Sequence, residues 1–370
     1  MPQQKRSGYR LFIILAALIC LVFSQRYAKA AYLKNVPITL KQPNGSVIKC
    51  FATGDEFFHY FHDANGLLIN RQPTTGSYVY VQQRNGAMLP SQYTVGSVNP
   101  RLLASQPSFK ISSGLLNQAR LNAINSATRL RSQQIPTSGS PIGTLTDIVI
   151  FIRFADDMEY TDNIYTYDNM FNGDGSTGPS LSSYYNSVSY GKLQIHAAFF
   201  PNASSSGGVL SFQDSHNRSY YEPYSFWNPG GYSGDYDRAN REWTMLHNAV
   251  EAVKNDIPAN LDIDANHDGY VDNVCFVVRG GPGDWGDLLW PHMWHLGIDT
   301  YINGAMVTNY NFQLRDFMLA SGPHGGTQGV GVLSHEMFHS LGGPDLYHYY
   351  TGSYLEPVGG MGPHEPGRLR

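Results

Sequence analysis

Two imidazoles, two carboxylates and a pair of glycines fall within eleven residues of this chain, His335-Glu336-Met337-Phe338-His339-Ser340-Leu341-Gly342-Gly343-Pro344-Asp345. On a helix, His335 and His339 lie one turn apart, so both rings project from one face toward a common metal ion. Glu336 is offset by about 100°, beside the metal and free to serve a water molecule as general base. Gly342 can end the helix in a left-handed conformation that a side chain resists. The reversed chain can then return Asp345 as a third ligand. Two imidazoles and one carboxylate leave a position for water, as catalytic rather than structural zinc requires. The bland alternative is a surface coincidence on a helix, with Asp345 an ordinary turn residue beside Pro344. Val332, Leu333, Phe338 and Leu341 argue instead for a buried helix.

A second constellation precedes it, Asp262-Ile263-Asp264-Ala265-Asn266-His267-Asp268-Gly269-Tyr270-Val271-Asp272. Asp264, Asn266 and Asp268 at spacing two, then Gly269 and Asp272, reproduce a loop whose alternate side chains converge on calcium. Tyr270 would add its backbone carbonyl. The glutamate of an EF-hand is replaced by Cys275, so Asp262 or water must complete the shell. Such an ion would be structural. The competing reading is an Asp/Asn-rich turn held by its own side-chain hydrogen bonds.

These groups need a scaffold, and the chain divides accordingly. Residues 31–132 read as a small mixed α/β unit, with strands at Ser46–Phe51 and Tyr78–Val81 and a polar helix from Leu115 to Arg131. Residues 133–144 have linker composition. From residue 145 to 370 the pattern changes. Asp147–Phe154 and Asn273–Val278 are continuous apolar strands suited to the middle of a sheet. Ser182–Tyr190, capped by Gly191, and Arg238–Asn255, with Trp243, Leu246, Val250 and Val253 on one side, read as helices. The expected class is α/β (α+β), a twisted sheet carrying an active-site helix.

Lys5, Arg6 and Arg10 precede the apolar run Leu11–Phe23, and Ala28-Lys29-Ala30 offers a signal-peptidase site. Residues 1–30 are thus expected to be a signal peptide, giving a secreted, extracellular or periplasmic protein that begins at Ala31. The remaining chain of about 340 residues is ample for a sizeable core. A net charge of -4, with no basic block, excludes a nucleic-acid surface, and no later segment is apolar enough for a membrane. Cys50 and Cys275 remain, either free or paired.

Several of these segments together resemble the immune inhibitor A-like (M6) family of secreted metallopeptidases. They are Ser183–Leu193, Asp262–Val278, Trp290-Pro291-His292 and His339–Tyr347. The resemblance covers most of residues 145–360 and implies a metzincin-type zinc endopeptidase made as a precursor. It assigns His335, His339 and Asp345 to zinc and Glu336 to the base, with protein or peptide substrates. Cys50–Phe57 and His62–Gly66 resemble that family's propeptide, so the chain's own N-terminal unit is an expected partner of a monomeric enzyme. Cys50 is one candidate for the open zinc position in the precursor; a half-buried core residue is the other reading. Met361 is a candidate for the methionine turn beneath the metal. The family's Trp-Asp pair is missing there, and the chain ends nine residues later at Arg370, so the domain reads as truncated. Two other functions stay open on these residues. One is a catalytically silent or truncated metal-binding relative, the other a calcium-stabilised extracellular binding module.

Overall fold

The computed structural model describes residues 33–54, 58–72, 75–130, 139–224, 228–281, 290–319 and 329–343. The expected leader, much of the linker, Asp345 and Met361 lie outside these residues.

The first unit is a six-stranded antiparallel meander in sequence order: β1 (Leu33–Lys41), β2 (Val47–Gly54), β3 (His59–His62), β4 (Leu68–Arg71), β5 (Tyr78–Arg84) and β6 (Ala87–Thr94). Short polar turns make that order possible. In the first, Asn44 Oδ1 accepts from the Ser46 amide and the Gly45 amide returns to Gln42 O. Alternation along β2 buries Ile48, Cys50 and Ala52 on one face. Gln42, itself buried, staples β1 to β5. Its amide donates to Tyr78 O and Val95 O and accepts from the Tyr78 amide. Helices α1 (Pro100–Ala104) and α2 (Ser113–Leu130) follow, so the mixed unit read from sequence is present.

The second unit is built on a six-stranded mixed sheet, five strands of which form its main path. Those five are β7 (Gly143–Arg153), β8 (Leu193–Phe200), β10 (Asn273–Val278), β11 (His292–His295) and β14 (Asn309–Leu314), in the order β11-β14-β10-β7-β8. β7, β8, β10 and β14 run parallel, while β11 lies antiparallel at the edge beside β14. Two-residue β9 (Phe212–Gln213) joins β7, and β12 (Tyr301–Ile302) pairs with β13 (Ala305–Met306). Helices α3 (Ile164–Asn172), α4 (Leu181–Val188), α6 (Arg315–Leu319) and α7 (Gly329–Ser340) and the long α5 (Asp235–Val253) complete it. The α/β class expected from sequence is therefore found.

Alternation sorts the sheet into two faces. Ile148, Ile150, Ile152, Val274, Phe276 and Phe312 join a core with Met245, Leu246, Ala249 and Val250 of α5. Val149, Phe151, Cys275 and Val277 join the opposite core with Leu181 and Tyr185 of α4 and Val330, Leu333 and Met337 of α7. β10 and β14 are buried throughout, as a central parallel sheet demands.

Element ends differ from the sequence reading for local reasons. β7 starts at Gly143 because Gly143–Thr146 pairs with Leu193–His196, a register that the two polar threonines conceal. α4 stops at Val188, since Tyr190 and Gly191 both take positive φ. α5 begins three residues before the expected Arg238, where Asp237 accepts from the Ser233 amide. Of its expected apolar side Leu246, Val250 and Val253 are buried, while Trp243 is only partly so.

The two units meet at Trp290. His59 of β3 stacks on the indole with centroids 4.2 Å apart, and Phe317 meets its other surroundings edge-on at 5.1 Å. Arg71 of β4 also pairs with Glu222 at 3.2 Å. Trp290 is 2% exposed, so its removal takes a large apolar surface out of this seam. Trp290→Ala is expected to lower unfolding stability by about 3–5 kcal/mol; a denaturant titration whose midpoint matches the parent's would refute it.

Candidate metal centre

Helix α7 carries the histidines because its apolar residues give it a place to lie. Val330, Leu333 and Met337 are buried against the sheet, and Val332 reaches the opposite core. The polar motif is thereby buried too: His335 is 7% exposed and Glu336 1%. The rings of His335 and His339 meet at 87° with centroids 4.4 Å apart, and their Nε2 atoms lie 2.8 Å from each other. Ligand atoms of His335, Glu336 and His339 all fall within 4.8 Å of one another, the one such cluster of His, Cys, Asp or Glu among the described residues.

The turn that ends α7 also orients a ring. Gly342 has φ of +85°, its amide bonds His339 O and the Gly343 amide bonds Phe338 O, at 2.9 and 2.8 Å. This paired arrangement closes the last turn as the sequence predicts. A Cβ on Gly343 would meet the Phe338 ring at 2.3 Å, so a side chain there would have to push that ring aside. Gly343 O then stands 2.8 Å from His339 Nδ1. A carbonyl only accepts, so Nδ1 carries the proton and the Nε2 lone pair is left for a ligand.

The residues present fit a small dication. Two nitrogens about 2.0–2.1 Å from a tetrahedral zinc stand about 3.3 Å apart, so this pair need open by only about half an ångström. Glu336 Oε2 is buried and, among the described residues, without a hydrogen-bond partner, which suits a carboxylate that serves a water molecule. Asp345, the expected third ligand, lies outside the described residues.

Several residues around the motif carry no signature in the sequence. Tyr185 of α4, held protonated by its burial, donates to Ser334 O at 2.6 Å. Ser340 donates to Asn273 Oδ1 at 2.8 Å, and Asn273 donates to Asp147 Oδ1 at 2.7 Å. Under the edge strand, His292 sits between Trp290 O (2.7 Å) and Glu242 Oε1 (2.9 Å), and Tyr310 donates to that same carboxylate oxygen. The Trp-Pro-His segment thus pins β11 to α5 and adds no group to the metal cluster.

Among the described residues the two cysteines, Cys50 and Cys275, are both buried and free. Cys50 lies in the first unit's core, where burial and then Asp63 push its thiol up to about 12. It is not among the groups at His335 and His339, which removes it as a stand-in ligand in this arrangement. Its thiolate is also disfavoured. Cys275 faces α7 from β10, likewise pushed up by burial.

The acidic loop takes the compact turn expected of it. Asp264 accepts from the amides of Asp268 and Gly269, Asp268 from that of Tyr270, and Asn266 donates to Asp268. Asp272 turns inward and accepts from the amides of Thr146 and Ala265. The carboxylates of Asp264, Asp268 and Asp272 do not gather as the groups of His335, Glu336 and His339 do. Side-chain hydrogen bonds therefore suffice to hold the backbone path, and calcium binding at Asp264, Asn266, Asp268, Tyr270 and Asp272 remains an expectation.

No family model and no curated protein matches the chain. Among the described residues no helix is long and apolar enough to cross a membrane.

Two carboxyls make the stability depend on pH. Burial raises Asp147 to about 7, opposed only by the Asn273 hydrogen bond. Burial, with Asp262 and Asp264 adding to it, raises Asp272 to about 6. A carboxyl whose folded pKa exceeds its free value favours the folded state at low pH, and this is lost as pH rises through the folded pKa. Stability is therefore expected to decline between about pH 4 and 7. Asp147→Asn, which keeps the acceptor, flattens the decline and melts above the parent at about pH 8; equal melting temperatures there would contradict this. Calcium acts oppositely, by favouring ionised Asp272. Millimolar calcium is expected to raise the melting temperature near neutrality and less near pH 5. An unchanged value at both removes calcium from the loop.

Proposed function

We propose that this chain is a zinc-dependent endopeptidase, with His335 and His339 as metal ligands, Asp345 as the third and Glu336 as general base. One observation carries the reading: two Nε2 atoms 2.8 Å apart beside a buried Glu336 carboxylate oxygen that has no partner among the described residues. The mixed sheet supports it further. Its antiparallel edge strand β11 packs near α7, and one side of β11 has no strand partner among the described residues. An extended peptide can pair with such an edge through its backbone, largely independent of its sequence. This ordering and the motif together favour the metzincin arrangement and the M6 resemblance over an incidental HExxH. On this reading the N-terminal unit is a propeptide, docked through His59 and Arg71, and the protein is exported.

Zinc supplies a Lewis acid and a water molecule acidified toward neutrality. The remaining work belongs to the chain. Gly343 O fixes the His339 tautomer, and α7 fixes the spacing of the two rings. Glu336 removes a proton from the attacking water and passes it to the departing amine. Burial of Glu336 keeps bulk water from competing for that proton.

Glu336→Ala is expected to keep its metal and lose at least about 10²-fold in casein turnover. His339→Ala loses the metal as well. The measurement is chelator-sensitive casein cleavage with zinc stoichiometry, after limited trypsin nicking. One zinc per chain without cleavage would favour a silent relative instead, and no zinc would end the reading.

A further inference from the structure

Apolar packing alone does not fix where a helix sits along its axis, because burial is non-directional. Val330, Leu333 and Met337 could stay covered through a small slide or roll of α7. Two imidazoles that share one ion do not tolerate that freedom, since a displacement of about 1 Å can cost about 10²-fold in rate. Directional contacts are therefore needed close to the motif.

They lie on both sides of it. Before His335, the Ser334 carbonyl accepts from Tyr185 Oη at 2.6 Å. After His339, Ser340 Oγ reaches Asn273 Oδ1 at 2.8 Å and Asn311 Oδ1 at 3.2 Å. Asn273 continues to Asp147 at 2.7 Å. Ser340, Asn273, Asn311 and Asp147 are each 0% exposed. Asp147, Asn273 and Asn311 stand on β7, β10 and β14, three adjacent strands, with Asp147 and Asn273 opposite each other in register. Turning the Asn311 amide about its last torsion gives its unpartnered Nδ2 the serine oxygen to donate to. The proton order is then consistent throughout, from Asn311 to Ser340 to Asn273 to Asp147. Four buried polar residues impose a desolvation cost that apolar ones would avoid.

We propose that Tyr185 and the Asp147–Asn273–Ser340 chain are positioning residues that clamp α7 on either side of the metal motif. This rests on the metal-hydrolase reading above. None of these side chains is a metal ligand. They act through the backbone of Ser334 and through Ser340, and so through the placement of His335 and His339. Asp147 serves as the terminal acceptor, a task its amide analogue performs equally well.

The test is titration of the full chain with cobalt(II), whose visible bands report the geometry of its ligands. Ser340→Ala and Tyr185→Phe are each expected to weaken cobalt binding about tenfold or more and to alter the bands. Asp147→Asn keeps the parent's affinity and bands, whereas Asp147→Ala follows Ser340→Ala. If Ser340→Ala does not fold, Tyr185→Phe carries the test, because it removes one oxygen and leaves the ring. Parent-like affinity and bands in that variant, with only a lower melting temperature without metal, would show plain scaffolding and overturn the proposal. Absence of cobalt bands in the parent chain would instead sink the metal reading itself.

Discussion

Everything at this centre depends on burying α7 against a mixed sheet that is covered on both faces. A helix end exposed to water would leave its imidazoles free among several rotamers. Burial removes that freedom, but it also removes water as a partner for each polar atom carried along. The consequence is visible in β14. Tyr310, Phe312 and Leu314 face α5, while Asn309, Asn311 and Gln313 lie on the face toward α7. A strand buried throughout is amide-bearing on one side because the helix opposite it brings polar groups. Cost and precision have the same origin.

Local chain chemistry completes what packing begins. The Schellman turn at Gly342-Gly343 ends α7 and, in the same stroke, presents Gly343 O to His339 Nδ1. Replacing Gly342 strains a left-handed residue, and replacing Gly343 drives a Cβ into Phe338. Either change would displace the carbonyl that selects the tautomer. The spacing from His339 to the two glycines is thus a geometric requirement on the ligand as well as a helix stop.

This explains what the sequence disclosed and what it withheld. The convergence of His335 and His339 and the stop at Gly342 were legible because i,i+4 spacing on a helix and a following glycine are local features. β7 and β10 were legible as unbroken apolar runs, and the acidic turn by its alternation. Ser340, Asn273 and Asp147 were not, because their meaning comes from register between β7 and β10, 126 residues apart, and from α7 packing on β10, 67 residues apart. Tyr185 belongs to a segment noted for resemblance, yet its role depends on a carbonyl 149 residues away. Cys50 drew attention as a possible ligand, and strand alternation placed it in a core instead. The edge-strand pin formed by Glu242, His292 and Tyr310 was half visible through the Trp-Pro-His segment, while Glu242 sat unnoticed on an apparently ordinary helix.

Charge gives the last constraint. Glu336 is almost fully buried, and among the described residues no lysine or arginine pairs with it or with Asp147. Asp147 meets this by keeping its proton up to about pH 7, which an amide would imitate. On the proposed reading Glu336 is a general base, which needs a free oxygen to take up a proton. Its compensation has to come from a cation that still leaves the carboxylate oxygen open. A guanidinium would occupy that oxygen with a hydrogen bond. A dication held by His335 and His339 would supply that charge without covering the oxygen. Among the described residues, the convergence of two imidazoles next to a Glu336 with no Arg or Lys partner is the arrangement that reading requires.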